Sequence, residues 1–191
     1  MARPREFSTD GAVEQAMNLF RRQGFHATSM PRLTARLGIG NGSLYAAFGS
    51  KDGLYADALM RYCDGLVGGI ERDLHSGADV RTALRGLLIG LAAEGAADPE
   101  RGCLLIGAVT ERADHDATVR QVRSALDGVE SALAQALRRA QDRGEVPREH
   151  RPEELACFLT TFLQGLRVMA RARAGQAYLE SAVDGALRVL D

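Results

Sequence analysis

An all-α fold is what this sequence predicts. Apolar residues recur at spacings of three and four along most of the 191 residues, and the β-branched alternation of a strand is missing. Ser, Thr or Asp precedes many of the apolar-periodic stretches and Gly or Pro follows them, which cuts the pattern into about nine helices. The expected organisation is an N-terminal three-helix helix-turn-helix domain, residues 1–50, and a larger helical ligand-binding and dimerisation domain, residues 51–191, joined through a helix that begins at 51.

The first helix is signalled by Ser8, Thr9 or Asp10 as cap, by Val13, Ala16, Met17 and Phe20 at i, i+3, i+4 and i+7, and by Gly24 as stop. Ser29 caps the second helix. Pro31 is tolerated in its first turn, Leu33 and Leu37 share one face, and Gly38 closes it. The third runs from Gly40 or Asn41 to Phe48, anchored by Leu44 and Phe48, four apart. Ser50 caps the fourth, which carries Tyr55, Leu59, Tyr62 and Leu66 on one stripe and Asp52 near its positive end. Gly65, Gly68 and Gly69 each cost a helix interior about 1 kcal/mol relative to alanine, so this helix is expected to end early or be weak at its far end. Further helices are expected over residues 80–97 (Leu84, Leu87, Leu88, Leu91), 99–110, 116–143, 152–173 and 176–190.

Composition narrows the class. A chain of this length buries a core without staples, and Cys63, Cys103 and Cys157 are odd in number with neither disulfide nor zinc spacing. No signal peptide or run of about 20 apolar residues is present, so a cytoplasmic protein that spans no membrane is expected, with no metal or cofactor. Net charge is −1, but residues 1–60 carry seven basic and five acidic side chains while the remainder carries 17 and 20. That gradient weakly favours DNA at the N-terminal end. An enzyme is not expected: Cys103 with His115 or Glu111 is the only imaginable thiol site, and there is no strand-turn elbow, metal spacing or phosphate loop.

The segment Ser29 to Lys51 has what a helix-turn-helix needs. Gly38 supplies the turn, Leu33, Leu37, Leu44 and Phe48 the buried pins, and Asn41, Gly42, Ser43, Ala46 and Ala47 a small or polar outward surface. Around it stand Gly-Phe-x-Ala-Thr-Ser and then Gly-Ser-Leu-Tyr-x-x-Phe-x-Ser-Lys-x-x-Leu, across about residues 13–60. On these motifs the chain resembles the TetR family of bacterial transcriptional regulators. The resemblance implies a homodimer, a double-stranded DNA operator of pseudo-palindromic form, and repression relieved by an unidentified small-molecule effector. By position it implies phosphate contacts from Thr28, Tyr45 and Lys51, and close approach to DNA at Gly42. The family often has a basic residue where Asn41 stands and an aromatic or histidine where Ala46 or Ala47 stands. Asn41 suits an adenine edge instead, and Ala46 and Ala47 suit thymine methyls, a chemistry favouring A·T pairs. Arg3 and Arg5 precede the first helix as a candidate DNA arm, and Arg32 and Arg36 are either phosphate contacts or solvated.

For the body, the resemblance implies a ligand cavity among the fifth to eighth helices, with Leu88, Leu91, Leu105, Val109, Val122, Leu126, Phe158 and Phe162 as candidate lining. The eighth helix is apolar on more than one face, so Leu159, Leu163 and Leu166, with Tyr178, Ala182 and Ala186 of the ninth, are expected at the dimer interface. Cys103 opens a short helix two residues after Arg101, which is a setting for a reactive thiol. Some redox-sensing and electrophile-sensing TetR regulators resemble the chain in a Gly-Cys-Leu segment there, so a thiol-based sensor is one alternative. A helical dimer without DNA binding is another.

Overall fold

The computed structural model describes residues 8–75, 77–98 and 100–191. Among them every regular element is helical: α1 (Thr9–Gln23), α2 (Met30–Leu37), α3 (Asn41–Phe48), α4 (Lys51–Asp73), α5 (Val80–Ala97), α6 (Leu104–Glu111), α7 (Asp116–Asp142), α8 (Pro152–Arg171) and α9 (Gln176–Ala186), then a 3-10 turn at Leu187–Leu190. Arg3 and Arg5 lie outside the described residues.

Two element boundaries differ from expectation. Helix α4 does not end early but crosses Gly65, Gly68 and Gly69 without a break, because Leu66 and Ile70 bury on its inward stripe and tertiary burial offsets the glycine cost. Helix α6 begins at Leu104, later than its sequence signal suggests. The backbone before it bonds to α1 instead of to itself: the Gly102 N–H donates to the Arg21 carbonyl and Arg21 Nε donates to the Gly102 carbonyl, both at 3.0 Å.

The chain forms two compact units. The first is the stretch through Asp64 together with Arg101–Val122, and the second is Gly65–Glu100 with Arg123–Asp191. In the first unit, Phe20 and Tyr55 are buried with ring centroids 4.9 Å apart in an edge-on arrangement, and Phe25 packs on Tyr55 at the same distance. Leu33, Leu44, Leu54 and Leu59 complete this core. Local signals set the helix ends: Ser8 Oγ accepts from the Gly11 N–H, and Gly38 closes α2 at φ 66°, a left-handed turn that glycine adopts without strain.

In the second unit α5 packs on α8 and α9, and α8 on α9. Leu159, Leu163 and Leu166 are buried in this protomer's own core, as is Ala186. They are therefore not the face α8 and α9 offer a partner, which corrects the expected interface. The α8 stripe left open is displaced by about one residue: Phe158, Val168 and Met169 are exposed, and the half-buried Phe162 stacks on Phe158 at 6.1 Å. Tyr178 is exposed and Ala182 half-buried on α9.

Candidate nucleic-acid interface

Helix α3 has eight residues and no side-chain cap bond, too short to persist by propensity. Burial of Leu44 and Phe48 holds it, and that burial turns the opposite face outward. Asn41, Gly42, Ser43, Tyr45, Ala46 and Ala47 are all exposed, Tyr45 by 51%. A Cβ added at Gly42 would meet nothing within 4 Å, so the backbone there is open to close approach. Arg32 and Arg36 are exposed on α2.

Thr28 is placed differently from its expected role. Its side chain is 0% exposed and Oγ1 donates to the Gly24 carbonyl at 2.6 Å. The hydroxyl has no free surface for a phosphate; it fastens the turn between α1 and α2.

Lys51, the sole lysine, opens α4. Its Nζ lies 4.2 Å from the centroid of Phe25, and partial burial lowers its pKa from the ordinary lysine value, with Asp52 opposing that shift. Over the same ring lies the Arg112 guanidinium, at 3.8 Å, which is also 5.1 Å from the Tyr55 ring. Arg112 is 4% exposed, and its Nη2 donates to Asp52 Oδ1 at 2.6 Å, while Nε and Nη1 have no hydrogen-bond partner among the described residues.

Next to it, Glu111 closes the other side of the turn. One carboxylate oxygen, Oε2, accepts from the Phe25 N–H at 2.8 Å and the His26 N–H at 3.1 Å, and His26 Nε2 donates to the Glu111 carbonyl at 2.9 Å. At the other end of the segment, Arg101 Nη2 donates to Asn18 Oδ1 at 3.1 Å. Residues 101–112 are thus strapped across α1 and the start of α4 at both ends. Glu111 and Arg112 are functional candidates that sequence reasoning missed in this role. Only a Glu-Arg pair at the expected end of a helix hints at it, and nothing in the sequence gives the burial or the partners.

Cys103 is the N-cap of α6, half-buried, and the Tyr62 hydroxyl donates to its Sγ at 3.4 Å. Cys63 is buried, and that burial pushes its pKa up to about 12, with Asp64 and Cys103 adding to the shift. Its thiol stays protonated at neutral pH. Brief treatment of the folded protein with iodoacetamide at pH 8 should therefore label the exposed Cys157 and leave Cys63 unmodified by peptide mass spectrometry.

The residues expected around a ligand are divided between the two units. Leu105, Val109 and Val122 belong to the first unit and Leu88, Leu91, Leu126, Phe158 and Phe162 to the second. Leu88, Leu105 and Val122 are core, whereas Val109 and Phe158 are exposed. The cavity of the second unit has other walls, α5, the end of α8 and the start of α9.

With this geometry in place, the comparisons with known proteins are specific. Residues 12–58 match the family described as "Bacterial regulatory proteins, tetR family", and residues 83–186 match "Tetracyclin repressor-like, C-terminal domain". An uncharacterized HTH-type transcriptional regulator of Bacillus subtilis (strain 168), YezE, is 30% identical over 195 residues, covering 100% of both chains. The HTH-type transcriptional repressor ComR of Escherichia coli (strain K12) is 30% identical across 98% of this chain and 90% of its own. Among solved structures, a cysteine mutant of the TetR family transcriptional regulator CifR, complexed with 26-bp double-strand operator DNA, superposes with a TM-score of 0.87 at 31% identity over 100% of both chains. None of the helices among the described residues is long and apolar enough to cross a membrane. Two matched domains and full-length relatives, on a helix-turn-helix whose outward face is open, make the conclusion direct: the chain belongs to the TetR family of bacterial transcriptional regulators.

Proposed function

We propose that this protein is a ligand-responsive repressor, a homodimer that binds a palindromic operator and leaves it when a small molecule occupies its body. It acts by binding rather than by catalysis, in the cytoplasm. Residues 1–50, with Lys51 at the start of α4, carry the DNA contacts, and the remainder of residues 51–191, linked through α4, carries the effector and dimer functions. The observation that carries this reading is the face of α3, where Asn41, Gly42, Ser43, Tyr45, Ala46 and Ala47 are open while Leu44 and Phe48 pin the helix beneath them. The operator-bound relative CifR supports it. The open stripe Phe158, Phe162, Val168 and Met169, with Tyr178 and Ala182, serves as the two-fold interface.

Binding-site selection with purified protein on fragmented host DNA should recover an A·T-containing palindrome. On that site, Tyr45→Ala and Lys51→Ala should each lower affinity about tenfold, the size of one lost phosphate bond. Only Lys51→Ala should also flatten the slope of log K against log salt, by about 0.9, because only it removes a cation. Failure to enrich any site at low salt would sink the repressor reading.

A thiol-sensing reading is kept open by one contact, the Tyr62 hydroxyl on Cys103 Sγ. Unchanged operator release by electrophiles in Cys103→Ser would end it.

A further inference from the structure

The second unit holds a cavity of about 580 Å³ walled by Ile89, Ala92 and Ala96 of α5, Ala170 of α8 and Leu179 of α9. Its origin is local. Helices α5 and α8 approach closely at Gly95, where an added methyl would lie 3.3 Å from the Ala170 methyl. Beside that contact the alanines of the Ala92–Ala97 run are too short to fill the space towards α9. The resulting volume falls in the range of small-molecule sites, and its wall is aliphatic.

Polar groups gather at one end. Arg173 and Glu180 both line the cavity, but they are not equivalent. Glu180 Oε1 accepts from Gln176 Nε2 at 2.7 Å, while the Arg173 guanidinium has no partner among the described residues. The backbone beneath Arg173 is unusual. Its N–H donates to the Ala170 carbonyl and the Ala174 N–H to the Met169 carbonyl, the pair of reversed bonds that ends a helix, usually with glycine in the left-handed position. Here the residue in that position is Arg173, at φ 58° the single positive-φ residue other than glycine among the described ones. Two residues on, Gly175 is the N-cap of α9 and supplies no side-chain cap, so the positive end of that helix opens onto the same rim.

We propose that this cavity binds an amphipathic carboxylate, its aliphatic chain against the alanine wall and Leu179 and its head on Arg173 at the α9 end. As an effector site it deepens the repressor reading and rests on it; as a binding site it stands independently.

The probe is octanoate, with octanol as the neutral match, titrated calorimetrically into the full chain. Octanoate should bind saturably, once per chain and at least tenfold tighter than octanol. Arg173→Gln should weaken octanoate about tenfold and leave octanol unchanged. Ala96→Phe should abolish binding of both, with the circular dichroism and melting temperature retained, since Ala96 is exposed and bulk there does not overpack a core. Ala97→Leu, also at an exposed wall position, replaces it if Ala96→Phe fails to fold. Absence of saturable octanoate binding, equal affinity for octanol, or an Arg173→Gln protein that binds octanoate as before would overturn the site. Operator affinity with and without octanoate is read separately. Octanoate that binds but leaves operator affinity unchanged overturns the effector role, and a chain that binds octanoate but no operator overturns the repressor reading while supporting the site.

Discussion

Gly24→Ala is expected to destabilise the first unit by about 2–6 kcal/mol, a large share of the 5–15 kcal/mol that holds a typical domain together. Gly24 sits at φ 80° and ψ 174°, a region that side-chain-bearing residues enter only at a cost of about 1–3 kcal/mol. A Cβ there would also collide with Glu111 Oε1, while the same carboxylate receives the Phe25 and His26 N–H groups. Driving it away leaves those donors without their acceptor, about 1–3 kcal/mol for each one that water does not reach. Urea denaturation followed by circular dichroism measures the sum. The mechanism is tested by the double-mutant cycle with Glu111→Ala, which removes the colliding group. In that background Gly24→Ala should retain only the backbone strain, so the two changes should couple by at least about 1 kcal/mol. Strict additivity would mean that the carboxylate does not hold the turn.

What was legible in the sequence was what neighbours in the chain decide. Ser8, Ser29 and Gly38 act on backbone groups within a few residues, and Leu44 and Phe48 lie one helical turn apart, so caps, turn and the buried side of α3 follow from spacing alone. Direction across the chain did not follow. Glu111 bonds to a turn 86 residues away, and no local pattern encodes that partner. Thr28 stands at a motif position read as a phosphate contact, yet its hydroxyl turns inward because the Gly24 carbonyl needs a donor once α1 has ended. In α8 the amount of apolar surface was evident, but not which stripe the protomer takes for itself, and a shift of one residue moves the open face from Leu159 to Phe158. The cavity was missed for a related reason: it is made by short side chains, and alanine in a helical sequence signals helix propensity rather than empty space.

Arg112 provides a way to separate DNA affinity from folding. A guanidinium this buried has lost its hydration, and it regains one carboxylate bond and two aromatic faces while Nε and Nη1 go without partners among the described residues. Replacing such a group with an apolar side chain of similar length removes the desolvation penalty together with the ion pair, so the two changes largely cancel. Arg112→Met should therefore shift the unfolding free energy by no more than about 1 kcal/mol. Its effect on DNA binding runs through Asp52. In the wild-type chain that carboxylate is engaged by Arg112 Nη2, and Lys51 lies over Phe25, where the proposed repressor uses its ammonium on a phosphate. Without Arg112, Asp52 is half-exposed, unpaired and next to Lys51 in sequence, and it becomes the competing anion for the sole lysine. Operator affinity should fall about tenfold, equivalent to one charge-assisted bond. The double variant Arg112→Met/Asp52→Asn removes the competitor and should recover most of that loss, which a general loosening of the head would not allow. If the single variant bound operator normally, or the double variant bound no better than the single, the strap from α6 would serve stability alone and the position of Lys51 would not depend on it.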